Sequence, residues 1–411
     1  MKTRRYWKIR KKLLNLIFRF KKIIYVTYNR RQSSKEYKSF KKILLEKFIS
    51  GSFRGLILAV VFRQFDIYLS NACIKFALNK DLFANVIIGE LGVAGVILGL
   101  YCSNISSVYS TRYANAPEKI AIAFQYDRLT VKCLNSISGF IIYGTIILIE
   151  LLMGLKVGWI SGGALIIWSI LVVISFGITG NRIYQLSDVF RISDDAIIIL
   201  ERVISKYINR GLYAMDDNYQ NHFCKVATEK IELLKTIQEY GCDSKLPTNS
   251  SILNFMCTNL GLIEQYWLTK RDISKDSLWF RRKGKYQKWH YANTAETSSA
   301  LETGTFLRTK DEPDYYWMED ELMSINHACV SYLITKDDFG SLYNYFLVFE
   351  SVCKTAINQK EANYYAGQID WLKDIIQKAV QDKNIGGNTT FAGIVEHISL
   401  LYLNIILETG K

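Results

Sequence analysis

The chain has 411 residues, of which 52 are Lys or Arg and 38 are Asp or Glu, giving a formal net charge of +14. The first 50 residues hold 17 basic and 2 acidic side chains, so the remainder of the chain is close to neutral. Hydrophobic residues make up 49% but concentrate between about residues 53 and 180, which excludes a single soluble globule. With only 3 prolines, a proline-rich or disordered chain is excluded as well.

The first predicted element is a basic amphipathic helix within residues 1–50. Apolar side chains recur at intervals of three and four over residues 13–25, and Lys and Arg fill the positions between them. Arg19, Lys21 and Lys22 interrupt the apolar run, so this is not the pattern of a secretory signal. We expect the helix to lie on anionic lipid headgroups, where each cation adds roughly 1 kcal/mol of attraction. A nucleic-acid-binding arm is the alternative.

Four segments that follow are near the ~20 residues needed to cross a bilayer. They lie at about 53–78, 84–108, 136–155 and 157–179, and together they define a predicted transmembrane domain of residues 51–180. The last three are strongly apolar, whereas Arg63 and Asp66 lie in the middle of the first. The sequence therefore predicts an all-α membrane protein built on a four-span helical bundle.

The distribution of charge predicts the orientation of these spans. The positive-inside rule puts the basic head in the cytoplasm. With four spans, the connection 109–135 also lies inside and carries four Lys or Arg, while the connection 154–158 lies outside and carries one Lys. We therefore expect a multi-pass protein of the bacterial inner membrane with both termini cytoplasmic.

Four charged residues fall within the predicted spans, and charges in lipid are costly enough that they usually face a bundle interior or water. They are Arg63, Asp66, Glu90 and Glu150. Arg63 and Asp66 are three residues apart on one helix, so an ion pair within that helix is one interpretation. Glu90 and Glu150 lie near the predicted outer boundary, where they can reach external headgroups. The functional alternative is a polar lining for ions or protons.

The second span carries a stripe of mostly small residues at helical spacing. Its members are Gly92, Val96, Gly99, Ser103, Ser106 and Ser110, and Gly95 forms G-x-x-x-G with Gly99. Two interpretations remain open. The stripe packs closely against another helix, or it lines a pore in which the serine hydroxyls replace water near the cytoplasmic mouth. Both predict that a bulky residue at Gly99 is damaging.

Residues 84–180 resemble part of a group of uncharacterised bacterial multi-span membrane proteins that have a cytoplasmic C-terminal domain. In that group a Gly-rich span continues into a Ser/Tyr-containing cytoplasmic extension, and a tight pair of spans follows. The matching residues are Gly92, Gly95, Gly99, Ser107, Ser110, Tyr113 and the connection after Gly154. The resemblance covers less than a quarter of the chain and implies no catalytic residue.

Residues 181–411 are predicted to form a mainly helical cytoplasmic domain. Helical periods extend over about 186–208, 218–240, 251–270, 313–336, 339–358, 361–382 and 389–408. Pro313 is the expected first-turn proline of the fourth of these helices. The last helix is apolar, but Glu396 and His397 favour a buried core helix over a fifth span.

One stretch of this domain departs from the helical pattern. Residues 277–291 hold five cations, interleaved aromatic residues and no acid, and Lys283-Gly284 predicts the turn of a β-hairpin. Residues 304–309 are a candidate third strand. The acidic residues within 311–321 are expected to cap the next helix and to neutralise the hairpin.

Besides a structural role for this hairpin, contact with lipid headgroups or binding of a nucleotide or nucleic acid remains open. The candidate ligand-binding residues are Trp279, Arg281, Arg282, Lys285 and Trp289.

The sequence contains no pattern typical of a metal site or a catalytic centre. Its eight cysteines show no C-x-x-C spacing and its four histidines are far apart, which predicts free thiols in a reducing compartment and neither a metal nor a cofactor. P-loop, G-x-G-x-x-G, H-E-x-x-H and G-x-S-x-G motifs are absent, so we do not expect an enzyme.

The leading functional hypothesis is a homo-oligomeric channel or pore-forming effector gated by its cytoplasmic domain. The composition, rich in Ile, Lys, Asn and Tyr, is typical of AT-rich bacterial accessory genes and makes antiphage defence one guess within this class. The alternative is a non-catalytic membrane anchor or scaffold that presents a cytoplasmic domain for interaction. Either protein has the anionic bilayer as a partner, and a nucleotide or protein ligand is expected at the cytoplasmic domain.

Overall fold

The computed structural model describes residues 10–24, 40–70, 80–155, 157–208, 213–243, 249–286, 294–304, 309–359, 361–383 and 389–409. Over these residues the chain is mostly helical and has one two-stranded antiparallel sheet. It divides into two compact units. The first unit is Glu36–Asp195, and the second combines Met1–Lys35 with Ala196–Lys411.

After helix α1 (residues 10–24), which belongs to the second unit, the helices of the first unit follow in chain order. They are α2 (Phe40–Ser70), α3 (Lys80–Val108), α4 (Glu118–Gln125), α5 (Arg128–Leu152) and α6 (Trp159–Gln185). Helix α3 continues through a π-helical turn at Tyr109–Tyr113, so the helix extends past the predicted second span, 84–108. Helices α4 and α5 are separate, because the Asp127 side chain accepts a hydrogen bond from the Thr130 N–H and starts α5 as a new helix.

The four long helices of this unit alternate in direction. Leu91 of α3 lies against Gly144 of α5, and the Tyr101 hydroxyl donates to the Thr130 carbonyl, so α3 and α5 are antiparallel. Helix α6 is also antiparallel to α5, since the Tyr143 hydroxyl donates to the Ser161 carbonyl at one end of the pair. Helix α2 runs parallel to α5. The shared core is apolar and includes Ile87, Ala94, Ile137, Phe140 and Leu165.

Glycines allow α2 and α5 to approach closely. A Cβ atom at Gly51 would lie 2.7 Å from the carbonyl oxygen of Asn135, and one at Gly55 would lie 3.0 Å from the carbonyl carbon of Gly139. Gly51 and Gly55 form a G-x-x-x-G sequence, the pattern that brings helix backbones together in membranes. At this contact the backbones of α2 and α5 leave no room for a side chain.

Three helices of the first unit are long and apolar enough to cross a membrane. They are Asp81–Tyr113, Arg128–Leu152 and Trp159–Gln185. Helix α2, which begins at Phe40, covers the predicted first span, 53–78, as far as Ser70. Of that predicted span, residues 71–79 lie outside the described residues. Helix α2 falls short of the apolar character of the other three because it carries Lys, Arg and Asp along its length.

The second unit contains most of the remaining helices, and α7 leads into it from the first. The helices are α7 (Ser193–Arg202), α8 (Asp217–Asp243), α9 (Asn249–Lys270), α10 (Thr294–Thr303), α11 (Trp317–Thr335), α12 (Phe339–Asn358), α13 (Ala362–Lys383) and α14 (Thr389–Thr409). The predicted helix 186–208 is divided into a 3-10 turn, α7 and a π-helical turn. Five of the other predicted helices agree with the structure, and α10 was not predicted.

Two strands, β1 (Arg281–Tyr286) and β2 (Thr309–Asp314), form the sheet of this unit. The predicted turn is wrong, because Lys283 and Gly284 lie within β1 opposite Glu312 and Asp311. The partner strand, β2, comes from farther along the chain. Pairing with it places cations of β1 opposite carboxylates of β2, which is a favourable cross-strand arrangement. Pro313 lies in β2 and not in a helix.

Aromatic side chains fill the core of the second unit. Trp279 is buried, donates from Nε1 to the Tyr266 hydroxyl over 2.9 Å, and packs edge-on against Trp317. Helix α14 buries one stripe of apolar residues, including Ile394 and Ile398, while its other face is exposed. The predicted buried core helix at 389–408 is therefore half-buried among the described residues.

We predict that Gly55→Ala destabilises the first unit by roughly 1 to 3 kcal/mol, because the new methyl group collides with the α5 backbone. Thermal unfolding of the purified protein in detergent measures this as a lower midpoint. Gly177→Ala is the matched control, since Gly177 is exposed on α6 and a Cβ there meets no described atom within 4 Å. Equal midpoints for the two variants would contradict the close contact of α2 with α5.

Candidate functional site

The small-residue stripe of α3 faces away from the other helices of its unit. All of its members are exposed, namely Gly92, Val96, Gly99, Ser103, Ser106 and Ser110. A Cβ atom added at Gly92, Gly95 or Gly99 meets no described atom within 4 Å. The opposite face of α3 packs into the bundle through Ala94 and Ile97. Over the described residues, therefore, the stripe does not serve packing within one chain.

The outer faces of α3 and α6 differ in chemistry. The outer face of α6 presents branched aliphatic side chains, including Ile167 and Val173, which suit contact with lipid tails. The outer face of α3 also has exposed aliphatic side chains, including Val93 and Val96, but it adds glycines and, toward its C-terminal end, hydroxyl groups. The Ser110 and Thr111 hydroxyls donate to the Ser107 carbonyl, so their protons are satisfied within the helix while their oxygen lone pairs stay available.

Arg63 of α2 and Glu150 of α5 form an ion pair between helices. Both were predicted as intramembrane charges, but the interpretation of Arg63 was an ion pair with Asp66 on its own helix. The structure gives Arg63 a partner on α5, near the end of the bundle where α5 stops. Pairing with an opposite charge lowers the cost of burying both groups in an apolar bundle.

Asp66 lies at the N-terminus of α6. Its carboxylate accepts hydrogen bonds from the backbone N–H groups of Ile160 and Ser161 over 3.0 and 3.1 Å, and from the Ser161 hydroxyl. The N-terminus of a helix carries partial positive charge and unpaired N–H donors, so it is a favourable partner for a carboxylate. Gly158 makes room for this contact, because a Cβ atom there would lie 2.6 Å from the Asp66 Cβ.

Glu90 of α3 faces α6. It hydrogen bonds with Ser169, which is ten residues into α6, or about 15 Å along the helix. Its Oε2 atom is buried and has no hydrogen-bond partner among the described residues. The sequence interpretation, in which Glu90 reaches external headgroups, stays a prediction.

The four predicted intramembrane charges therefore lie in the same half of the bundle, with partners from neighbouring helices. This arrangement supplies carboxylates and hydroxyls between helices, which are groups that relay protons or contact cations. It contains neither a nucleophile beside a base nor any other catalytic constellation within the residues that the structure describes. In that same part of the chain, no group of three or more His, Cys, Asp or Glu side chains is arranged to hold a metal ion.

In the second unit, two of the five candidate ligand-binding residues have structural partners. Trp279 is part of the aromatic core. Arg281 pairs with Glu321 over 3.0 Å and donates to the Thr228 hydroxyl over 2.8 Å, while its guanidinium lies 4.4 Å from the Trp317 ring. These contacts tie β1 to α8 and α11.

The other three candidates differ in how much of them the structure describes. Arg282 is exposed on β1, opposite Pro313. Lys285 is opposite Lys310 in the sheet, and the environment of its side chain lies outside the described residues. Trp289 lies outside them altogether. Among the described residues the sheet thus keeps two exposed cations of the predicted basic stretch, Arg282 and Lys283, and the binding of a nucleotide or lipid there stays a prediction.

A buried charged cluster in the second unit was missed by the sequence analysis. Lys270 at the end of α9 pairs with Glu319 of α11 over 2.7 Å and lies 3.9 Å from Glu361. Its ammonium lies 3.8 Å from the ring of Tyr316, whose hydroxyl donates to Glu361 over 2.8 Å. Burial raises the pKa of Glu319 to about 7, although Lys270 opposes this shift. No local pattern predicts the cluster, because its members are far apart in sequence.

We predict that Glu319 makes the stability of the protein depend on pH. Glu319 binds its proton more tightly in the folded than in the unfolded chain, so the free energy of unfolding falls as pH rises from about 4.5 to about 7. The contribution is roughly 3 kcal/mol at most. Glu319→Gln removes this slope, which thermal unfolding between pH 5 and pH 8 measures.

Glu321→Gln, on the same helix, is the control and should keep the wild-type slope. If Glu319→Gln and the wild-type protein lose the same stability over this pH range, the carboxylate is not the titrating group.

No protein-family model matches this chain, and comparison with curated proteins and with solved structures also gives no match. The resemblance of residues 84–180 to bacterial multi-span membrane proteins therefore stays a prediction. The function has to be argued from the chemistry of the described residues alone.

Proposed function

We propose that this chain is an oligomeric membrane channel in which α2 joins the three apolar helices as a fourth span. In this proposal the second unit binds a ligand and thereby opens or closes the channel. The observation that carries it is the outward-facing stripe of small and hydroxyl-bearing residues on α3, described above. A second observation supports the fourth span, since the charges of α2 have partners on α5 and α6.

The stripe gives the bundle a surface for another copy of the chain. Lipid tails are as apolar as leucine, so helices associate in membranes through close packing and hydrogen bonds, and glycines permit that packing. Gly92, Gly95 and Gly99 leave the α3 backbone uncovered on the outside of the bundle. If several copies pack around a symmetry axis, the stripe of every copy is buried against a neighbouring copy.

An axis lined by this face of α3 would also provide a polar path. Ser103, Ser106 and Ser110 follow one another along the stripe, and Asn104 and Ser107 flank it on exposed positions. Hydroxyl and amide oxygens replace part of the hydration shell of a permeating ion. The glycines give width at the other end, where large side chains would close the path.

Helix α1 supplies a separate contact with lipid. It packs on the rest of the second unit through Phe18, whose ring lies 4.8 Å from that of Tyr219. An ion pair of Lys22 with Asp216 over 2.8 Å adds to this contact. Its exposed apolar residues are Leu13, Leu14, Leu16, Ile17, Phe20, Ile23 and Ile24. Exposed cations accompany them, a combination typical of helices that lie in an anionic interface.

Reconstitution with an ion-flux readout tests the channel directly. We expect the wild-type protein to be a homo-oligomer in detergent and to pass ions in liposomes. Gly99→Leu removes close packing worth about 1 to 2 kcal/mol, so it should weaken association roughly tenfold and reduce flux with it. Gly177→Leu places the same side chain on the outer face of α6 and should leave both properties unchanged.

A monomeric wild-type particle, or equal behaviour of the two leucine variants, would contradict the oligomer. An oligomer without flux would favour the alternative function, a membrane anchor or scaffold that presents the second unit.

For α1 we predict slower backbone hydrogen exchange over residues 10–24 in nanodiscs of anionic lipid than in nanodiscs of neutral lipid. Each cation that contacts the anionic surface contributes roughly 1 kcal/mol, so the protection should differ severalfold or more. Exchange within α8 serves as the internal control and should not depend on lipid charge. Equal exchange of residues 10–24 in both lipids would mean that α1 does not contact the headgroups.

A further inference from the structure

Two cysteines of the second unit lie in contact. Cys242 is in the last turn of α8 and Cys329 is in the middle of α11, and their thiols are hydrogen-bonded to each other. Both are free thiols. Because 86 residues separate them in sequence, the tertiary packing of α8 against α11 brings them together.

The two thiols differ in exposure and in acidity. Cys329 is fully buried, whereas Cys242 is half-buried. The Cys242 sulfur accepts hydrogen bonds from Cys329 and, over 3.6 Å, from the Gln238 side-chain amide. These donors stabilise the thiolate and lower the pKa of Cys242, against the opposing effects of burial and of the Asp243 carboxylate. The same contact and burial raise the pKa of Cys329.

Other cysteines of this unit have the opposite chemistry. Burial raises the pKa of Cys257 and Cys353, and it also raises that of Cys224 despite the nearby Arg281. A thiol that is accessible, acidic and beside a second cysteine is the arrangement that reacts with oxidants and then forms a disulfide.

We propose that Cys242 and Cys329 form a redox modification site, in which a hydroperoxide oxidises Cys242 and Cys329 resolves the product to a disulfide. This inference is independent of the proposed channel, since it depends only on the packing of α8 against α11.

The chemistry takes two steps. The Cys242 thiolate attacks one oxygen of the hydroperoxide, so that an S–O bond forms, the O–O bond breaks and the second oxygen leaves as hydroxide or alkoxide. Cys329 then gives up its proton and attacks the sulfur of the Cys242 sulfenic acid, and water leaves as the S–S bond forms. With hydrogen peroxide, two thiols and one peroxide give one disulfide and two waters, and the two thiols supply both electrons.

The disulfide would link the end of α8 covalently to α11. For this the two sulfurs must approach from hydrogen-bond distance to about 2.05 Å. Such a link restrains the end of α8, next to residues 244–248 that join it to α9.

Peptide mapping of the full-length protein in detergent tests the site. The reduced protein is treated with equimolar hydrogen peroxide, alkylated and digested, and the disulfide-linked peptides are identified by mass spectrometry. We expect the Cys242–Cys329 peptide to predominate. We also expect Cys242 to be oxidised faster than Cys257, because its hydrogen-bond donors lower the pKa of Cys242 and burial raises that of Cys257.

Two variants separate the roles of the cysteines. In Cys329→Ser, dimedone should trap a sulfenic acid at Cys242, and in Cys257→Ser the linked peptide should form as in the wild type. The wild-type digest decides the matter even where Cys329→Ser does not fold. Absence of the Cys242–Cys329 peptide, or equal oxidation rates of Cys242 and Cys257, would overturn the proposal.

Discussion

Charged side chains on an otherwise apolar helix must find partners before that helix can be buried among others. Helix α2 meets this constraint through α5 and α6. Arg63 pairs with Glu150, and Asp66 binds the N–H groups that begin α6. Gly55 lets the α2 backbone approach α5 closely enough for these contacts, because a side chain there would collide with Gly139. Its neighbours, more than its own hydropathy, therefore hold α2 in the bundle.

The same contacts leave the outer surface of the bundle free to differ from helix to helix. The charged groups of α2 have their partners on α5 and α6. Helix α3 therefore packs only through its buried face, and its glycines and serines remain on the outside. The proposed oligomer uses that surface, and the charged groups stay within each chain. In the second unit, different contacts connect the helices. The buried ion pair of Lys270 with Glu319 connects α9 to α11, and the thiols of Cys242 and Cys329 connect α8 to α11.

The sequence predicts what depends on local periodicity. Helix α12 begins and ends at the predicted residues, and the three apolar helices lie where the hydropathy places them. Features that depend on long-range pairing were missed or misassigned. Lys283-Gly284 has the sequence of a turn, but the carboxylates of β2 pair with β1 and make it a straight strand. Likewise, the sequence interpretation paired Arg63 with Asp66, its nearest opposite charge in sequence, while the fold offers Glu150.

The sidedness of the two chain termini tests the central proposal, that α2 crosses the membrane together with the three apolar helices. Reporter fusions at the N- and C-termini, active on only one side of the membrane, measure it in cells. Four spans bring both termini to the cytoplasmic side, whereas the three apolar helices alone leave them on opposite sides. Reporters active on opposite sides would contradict the four-span bundle and the role assigned to the partners of Arg63 and Asp66.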